Sequence, residues 1–294
     1  MSRSTIIEEQ QRHGRKVMAV LPIHYPKEIL TALDILAVEL WGPPGPPRGP
    51  DAGRIQPYIC AIVRNALAFL AAGGADVVDG LLFPHTCDSI QGLATQAPDF
   101  GGWGKAVFRY IHPKGDERPS ARRFVRRELE HLAADLETFA GKPLRPDTLR
   151  DAIGLHRKIR ALRLRLADRR AFLDMTDREL YTLLRRGEFL WPEDHLAELE
   201  TAAARLRDEP VQQGVPLMIT GIVPEPMAIF DAIAEAGGWV AADDYAGLGR
   251  RLLRDEPRLR DDPFDTLVDL QFAGPPCPTR TINQERRLEP IWKR

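Results

Sequence analysis

The stretch that decides the fold is Val77–Pro84, which reads VVDGLLFP and is followed at once by His85-Thr86-Cys87-Asp88. A short apolar run that lies between a Gly-Gly pair and a proline is typical of a buried parallel strand. The residues from Asp88 onward have the character of a helix start. The sequence therefore predicts a strand, a sharp turn that carries a cysteine, and a helix.

Outward from this stretch, strand and helix patterns alternate toward the N-terminus. The predicted elements are a strand over residues 17–23, a helix from Pro26 to about Ala37, a Pro/Gly-rich loop over 41–53, a helix over 58–72 and, after the central stretch, a strand over 106–111. This alternation favours a parallel α/β domain.

The middle of the chain reads as helix after helix. Period-3.6 patterns predict helices over residues 122–140, 145–175, 176–186 and 192–207, and Thr176 with Glu179 fits a capping box. The segment between Thr148 and Arg170 is rich in arginine with interspersed Asp and Glu, which favours a solvated helix face over a polyanion site. A second α/β unit then starts with a strand over 215–223, a helix over 227–236 and a strand over 239–242.

We therefore expect an α/β fold in which two parallel-sheet, Rossmann- or flavodoxin-like subdomains are joined by a helical middle. The predicted division is 1–119, 120–210 and 211–294. Few residues remain for the last part, so we expect its sheet to be incomplete.

Composition excludes several classes of protein. The 294 residues are 44% apolar and 28% charged, and 41 Lys+Arg against 42 Asp+Glu give a net charge of −1. That balance argues against a nucleic-acid-binding protein, and no apolar run reaches the length of a membrane span. The first sixteen residues contain no apolar core of a signal peptide, so we expect a cytoplasmic protein.

Cys60, Cys87 and Cys277 are the only cysteines, and their number and spacing match neither a disulfide framework nor a zinc finger. They are compatible with buried thiols, a catalytic thiol or metal ligands. Ligands of open parallel sheets bind beyond the carboxyl ends of the strands, where Cys87, Thr220-Gly221 and Asp243-Asp244 are predicted to lie. A nucleophilic thiol needs a histidine base, and spacing does not choose among His24, His85 and His112.

Several motifs together resemble the 2-hydroxyacyl-CoA dehydratase and benzoyl-CoA reductase subunit family. They are Tyr25–Leu30 (YPKEIL), Leu36–Gly42 (LAVELWG), Tyr58-Ile59-Cys60, Asp79–Asp88 (DGLLFPHTCD), Leu149–Arg163, Thr220-Gly221, Asp243–Gly247 and Pro275–Pro278 (PPCP). The match runs over nearly the whole chain, and DGLLFPHTCD is its most specific part. Leu33-Asp34 departs from the family pattern, and Asp34 is expected either to face solvent or to enter the ligand crevice.

The resemblance implies an iron–sulfur subunit that binds a [4Fe-4S] cluster through Cys60 and Cys87, with Cys277 as a candidate third ligand. It implies an acyl-CoA substrate, a second homologous subunit in a heterodimer and an ATP-dependent iron–sulfur activator. It also implies one-electron, ketyl-radical chemistry, in either a lyase (2-hydroxyacyl-CoA dehydratase) or an oxidoreductase (aromatic acyl-CoA reductase). The alternatives are a degenerate partner or scaffold subunit without a cluster, and a cysteine-nucleophile transferase or hydrolase.

Overall fold

The computed structural model describes residues 2–42, 56, 58–100, 103–113, 115, 117–274 and 289. The predicted loop at 41–53 and the candidate ligand Cys277 therefore fall largely or wholly outside the described residues. Contacts divide the chain into two compact units. The first contains the residues up to Ala152 together with Arg258–Phe272, and the second is formed mainly by Ile153–Pro257. The predicted division into three parts stays a prediction.

The first unit is built on a four-stranded sheet. Its elements are α1 (Arg3–Arg12), β1 (Lys16–Val20), α2 (Lys27–Ala32), β2 (Ile35–Glu39), α3 (Ala61–Ala71), β3 (Gly80–Pro84), α4 (Asp88–Phe100), β4 (Ala106–Tyr110), α5 (Pro119–Ala140), the start of α6 (Pro146–Asp168) and α10 (Pro263–Phe272). The strands are all parallel in the order β2-β1-β3-β4. β1 and β3 are almost wholly buried, as expected for central strands covered on both faces.

The order of the strands places a crevice at a defined point. The chain runs from β1 to β2 on one side and then crosses back to β3 on the other side of β1. In a doubly wound sheet, ligands bind at the carboxyl ends of the strands where the strand order reverses. The loops after β1 and β3 are therefore the natural walls of a site.

The predicted helix from Pro26 to Ala37 is wrong in its second half. α2 ends at Ala32, and Asp34 takes a left-handed conformation with φ of +52° that stops the helix. The next five residues form β2, in register with β1 from Lys16↔Ile35 to Val20↔Glu39. Leu, Ala and Glu are good helix formers, but burial against β1 decides their conformation. Asp34 stands at the start of β2, is largely exposed and pairs with Lys142, so it faces solvent.

The second unit carries a smaller sheet. It contains the end of α6, α7 (Asp177–Arg186), α8 (Pro192–Ala203), β5 (Val215–Gly221), α9 (Ile229–Glu235) and β6 (Gly238–Tyr245). β5 and β6 are parallel, and they form a two-stranded sheet within the described residues. Its core joins helix and strand residues such as Leu166, Tyr181, Phe230 and Val240. The α/β fold with a second, partial parallel sheet is confirmed.

The predicted capping box is also confirmed. The Thr176 hydroxyl accepts the backbone N–H of Glu179, and the Glu179 carboxylate accepts the N–H of Thr176 at the start of α7. Within the described residues, no helix is both long and apolar enough to cross a membrane.

Candidate cysteine site

The loop after β3 holds Cys87 at the carboxyl end of the sheet. Cys87 directly precedes α4, and its carbonyl accepts the N–H of Gln91 at 3.1 Å as the first turn of that helix closes. The His85 N–H donates to the Tyr110 carbonyl at 2.7 Å, which ties the loop to the end of β4. The Cys87 thiol is free and partly exposed.

A second bond ties this loop to the neighbouring strand. The Thr86 hydroxyl donates to the Ile23 carbonyl at 2.9 Å, so the loop after β3 is joined to the loop after β1. Ile23 and His24 both have positive φ, +79° and +59°. A β-branched residue in the left-handed region is a genuine outlier, and such strain concentrates at functional sites. The strain therefore lies at the crevice that the strand order predicts.

Cys60 occupies the same kind of position at the start of α3. It is the N-cap residue of that helix, its thiol is free and exposed, and its carbonyl accepts the Arg64 N–H at 3.2 Å. The start of α3 lies close to the carboxyl end of β2, because a Cβ on Gly42 would approach the Cβ of Asn65 to 2.7 Å. Gly42 has φ of +75°, so glycine is needed there for conformation as well as for space.

The two cysteines therefore share a structural setting. Each begins a helix of more than ten residues at the carboxyl edge of one sheet, and α3 and α4 pack against each other. The positive end of a helix favours an anionic partner such as a thiolate or a thiolate-bound cluster. Neither thiol is buried in an apolar interior, so the buried-thiol interpretation fails for both.

The donor atoms suit an iron–sulfur cluster in type, because soft thiolates are its usual ligands. The described part of the chain supplies two cysteine thiols, those of Cys60 and Cys87. No group of three or more His, Cys, Asp or Glu residues that could hold a metal ion occurs among the described residues. Cys277 lies outside them.

The three histidines proposed as bases follow β1, β3 and β4. The ring Nε2 of His85 lies 3.7 Å from an Asp88 carboxylate oxygen. The ring of His112 has one nitrogen 3.0 Å from the Pro113 carbonyl and the other 3.2 Å from the Gln271 carbonyl, and its centroid is 5.8 Å from that of His24. Among the described residues, neither Cys60 nor Cys87 is hydrogen-bonded to a histidine, so the geometry gives no support to a Cys–His catalytic pair.

Sequence reasoning missed a buried ionic cluster at the end of β2. The fully buried carboxylate of Glu39 accepts the Tyr25 hydroxyl at 2.9 Å and the Lys27 ammonium at 2.8 Å. A buried charge is tolerated when it is paired and hydrogen-bonded. All three residues belong to the YPKEIL and LAVELWG motifs, so the signal was present as charged residues in otherwise apolar segments.

The acidic pair of the second unit has a structural role. One oxygen of Asp243 accepts the backbone N–H groups of Tyr245 and Gly249, and the other accepts Tyr181 and Arg170. Burial raises the pKa of the Tyr181 phenol well above its ordinary value, and the charge of Asp243 raises it further. Asp244 is bound by Arg250 through both carboxylate oxygens. These partners occupy the carboxylates that the sequence left as possible ligands.

The Arg-rich helix α6 is also largely paired. Arg157 and Arg160 lie 3.1 and 2.9 Å from the Glu256 carboxylate, and Arg150 lies 2.7 Å from Asp147. Arg150 and Asp147 are exposed, as predicted for a solvated helix face, whereas Arg160 is 11% exposed and pairs at a partly buried contact.

Comparison with known proteins gives a consistent result. A family model described as "2-hydroxyglutaryl-CoA dehydratase, D-component" matches residues 22–293. The chain is 24% identical to the beta subunit of (R)-2-hydroxyglutaryl-CoA dehydratase from Acidaminococcus fermentans over 277 residues, which is 92% of this chain and 73% of that protein. It is 28% identical to a benzoyl-CoA reductase subunit from Thauera aromatica over 272 residues, covering 86% and 67%. The beta subunit of lactoyl-CoA dehydratase from Anaerotignum propionicum is 23% identical over 250 residues, covering 82% and 65%.

Proposed function

The chain belongs to the 2-hydroxyglutaryl-CoA dehydratase D-component family, and we propose on this basis that it is the iron–sulfur subunit of an enzyme that acts on an acyl-CoA thioester. The observation that carries the proposal is the common position of Cys60 and Cys87. Two unburied thiols begin two packed helices at one edge of one sheet, beside the crevice where such sheets bind ligands.

In this proposal, Cys60, Cys87 and Cys277 hold a [4Fe-4S] cluster. Thiolates at the first turns of α3 and α4 are stabilised by the helix ends, and Thr86 fixes the loop of Cys87 against the loop after β1. Cys277 lies in the Pro275–Pro278 segment that resembles the family, and it is the third cysteine of the chain.

When bound, a [4Fe-4S] cluster would supply low-potential one-electron transfer, which ketyl-radical formation at a thioester carbonyl requires. The proposed partners are an acyl-CoA substrate, a second homologous subunit in a heterodimer and an ATP-dependent iron–sulfur activator. The names of the similar proteins support an acyl-CoA substrate and a partner subunit, since each is a subunit of an enzyme named for a CoA thioester. They include both dehydratases and a reductase, so a lyase and an oxidoreductase are both consistent with the family.

A second candidate is a partner or scaffold subunit of the same family that binds no cluster. The described residues supply two of the three proposed thiol ligands, and Cys277 lies outside them. The two candidates differ in the metal content of the purified chain.

Anaerobic purification with iron and sulfide analysis tests the proposal. We expect about four irons and four sulfides per chain, and a brown chromophore, in the wild type. Cys60→Ala, Cys87→Ala and Cys277→Ala should each lower the iron content strongly, while Ser89→Ala, in the first turn of α4, should leave it unchanged. Circular dichroism checks that each variant is folded. Fewer than about two irons per chain would favour the cluster-free subunit, and wild-type iron content in a cysteine variant would exclude that cysteine as a ligand.

A further inference from the structure

Opposite charges line the contact between α10 and α5 in the first unit. Asp262, Asp265 and Asp269 are spaced three and four residues apart, which places them on one side of α10. Arg126 of α5 lies 2.8 Å from both Asp262 and Asp265, and Arg122 pairs with Asp269. Complementary charge therefore helps to fix the position of α10 on α5.

Each of these two arginines has a second acidic partner that lies outside α10. Arg122 lies 2.5 Å from Glu117, and Arg126 lies 2.6 Å from Glu130 in the next turn of α5. Removing one partner of an ion pair is costly when it leaves the other charge without compensation. Separation of α10 from α5 would leave both guanidinium groups paired, so the ion pairs between the two helices can break and form again at little cost.

Apolar and aromatic contacts hold α10 in its closed position. Leu267, Val268 and Leu270 are buried. The Arg126 guanidinium lies 5.1 Å from the centre of the Phe264 ring, within the range of a cation–π contact. The closed position is therefore the stable one, and the ion pairs adjust how often the helix leaves it.

The last turn of α10 reaches the crevice at the carboxyl edge of the sheet. The Gln271 carbonyl lies 3.2 Å from a ring nitrogen of His112, and the ring centroids of Phe272 and His112 are 5.6 Å apart. His112 follows β4, and its ring centroid is 5.8 Å from that of His24 in the loop after β1. The end of α10 therefore covers a buried histidine that stands at the crevice.

The segment Arg258–Phe272, which contains α10, belongs to the first unit, whereas its sequence neighbours Pro257 and Ala273 belong to the second. We propose that α10 is a strap, which opens from α5 as one piece and thereby uncovers His112 at the crevice. Its opening and closing would control the access of solvent and ligands to this edge of the sheet. The inference goes beyond the proposed function, because it requires neither a bound cluster nor a substrate.

The test follows amide hydrogen exchange of α10, β1 and β3 in the full chain. Acylation of His112 by diethyl pyrocarbonate, measured by mass spectrometry, reports the exposure of its ring, and His131, which is exposed on α5, is the accessible reference. Arg126→Gln removes two of the ion pairs with α10. Arg127→Gln is the matched control, because Arg127 is exposed and is rotated by about 100° around α5 from Arg126.

We expect α10 to exchange faster than β1 and β3 in the wild type, because the strap opens while the sheet stays folded. Arg126→Gln should accelerate both the exchange of α10 and the acylation of His112 by about three- to tenfold, whereas Arg127→Gln should change both rates by less than about twofold. Salt at about 1 M should accelerate both rates in the wild type and add little in Arg126→Gln, because it screens the same ion pairs. The exchange of β1 and β3 and the acylation of His131 should stay unchanged.

Three results would each overturn the proposal. They are exchange of α10 only at the rate of β1 and β3, equal effects of Arg126→Gln and Arg127→Gln, and acylation of His112 that does not follow the exchange of α10. Neither measurement depends on bound iron, so the proposals of a strap and of a cluster fail independently.

Discussion

Asp243→Asn should destabilise the second unit by about 3–5 kcal/mol, the cost of leaving a buried charge without its partner. The Asp243 side chain is 1% exposed and that of Arg170 is 5% exposed. Arg170 and Tyr181 both donate to the same carboxylate oxygen, Tyr181 at 2.7 Å. Asparagine has the shape of aspartate, but its NH₂ group would face these two donors.

The size of the effect follows from which bonds survive. The Asn Oδ1 would still accept the backbone N–H groups of Tyr245 and Gly249, at 3.1 and 2.9 Å in the wild type. The charge-assisted bonds to Arg170 and Tyr181 would be lost, and the guanidinium would remain buried. Asp231→Asn is the matched control, because its pair with Arg178 is about half exposed on both sides. Exposed pairs contribute about 0–1 kcal/mol.

Hydrogen exchange of β6 amides measures this difference within the second unit. A loss of 3–5 kcal/mol corresponds to exchange that is faster by roughly a hundredfold to several thousandfold, while Asp231→Asn should change it by less than about fivefold. Removing the cation as well, Arg170→Met with Asp243→Asn, should recover much of the loss, because no buried charge remains and the Asn Oδ1 still accepts the two backbone N–H groups. Equal exchange rates in the two Asn variants would refute the argument that Arg170 depends on Asp243 for its charge balance.

Three further stability predictions concern other positions. Burial raises the pKa of Asp269, but hydrogen bonds from Arg122 and Arg260 outweigh it and hold the pKa below its ordinary value. The wild type should therefore lose stability as pH falls below about 4. Asp269→Asn should lose about 1–2 kcal/mol of unfolding free energy at pH 7, and urea titrations should show that its stability depends less steeply on acid pH. At Ile23, where φ is +79°, the glycine variant should melt above the alanine variant, the reverse of the usual order, by the equivalent of about 1 kcal/mol. Thr176→Ala should lower the unfolding free energy by about 1 kcal/mol, measured by urea titration, because it removes the N-cap of α7.

The sequence predicted the sheet well where burial dominates. Gly80–Pro84 and Val17–Val20 are apolar on both faces, and only central parallel strands are covered in that way. The helical middle was predicted for a different reason. A 3.6-residue period of apolar residues and the Thr176 cap are signals that the local sequence contains. β2 was missed because its residues form helices readily, and only pairing with β1 makes them a strand.

The candidate site could be predicted in part. Cys87 was found because a strand, a turn and a helix are adjacent in the sequence around it. The position of Cys60 depends on the packing of α3 beside β2, which no local pattern encodes. The partners of Asp243 come from α7 and from Arg170, more than sixty residues away, so a strand-end carboxylate that resembled a ligand proved to balance a buried cation.

The two sheets together show what a strand sequence encodes. Val17–Val20 and Pro216–Ile219 are equally apolar, yet the first segment is buried and the second is largely exposed. β1 lies between β2 and β3 in the middle of its sheet, whereas β5 has one described neighbour, β6. Pairing within a sheet satisfies the backbone of a strand, and its side chains are removed from water by the elements packed on the two faces of the sheet. The exposed side chains of β5 thus follow from its surroundings and not from its own composition.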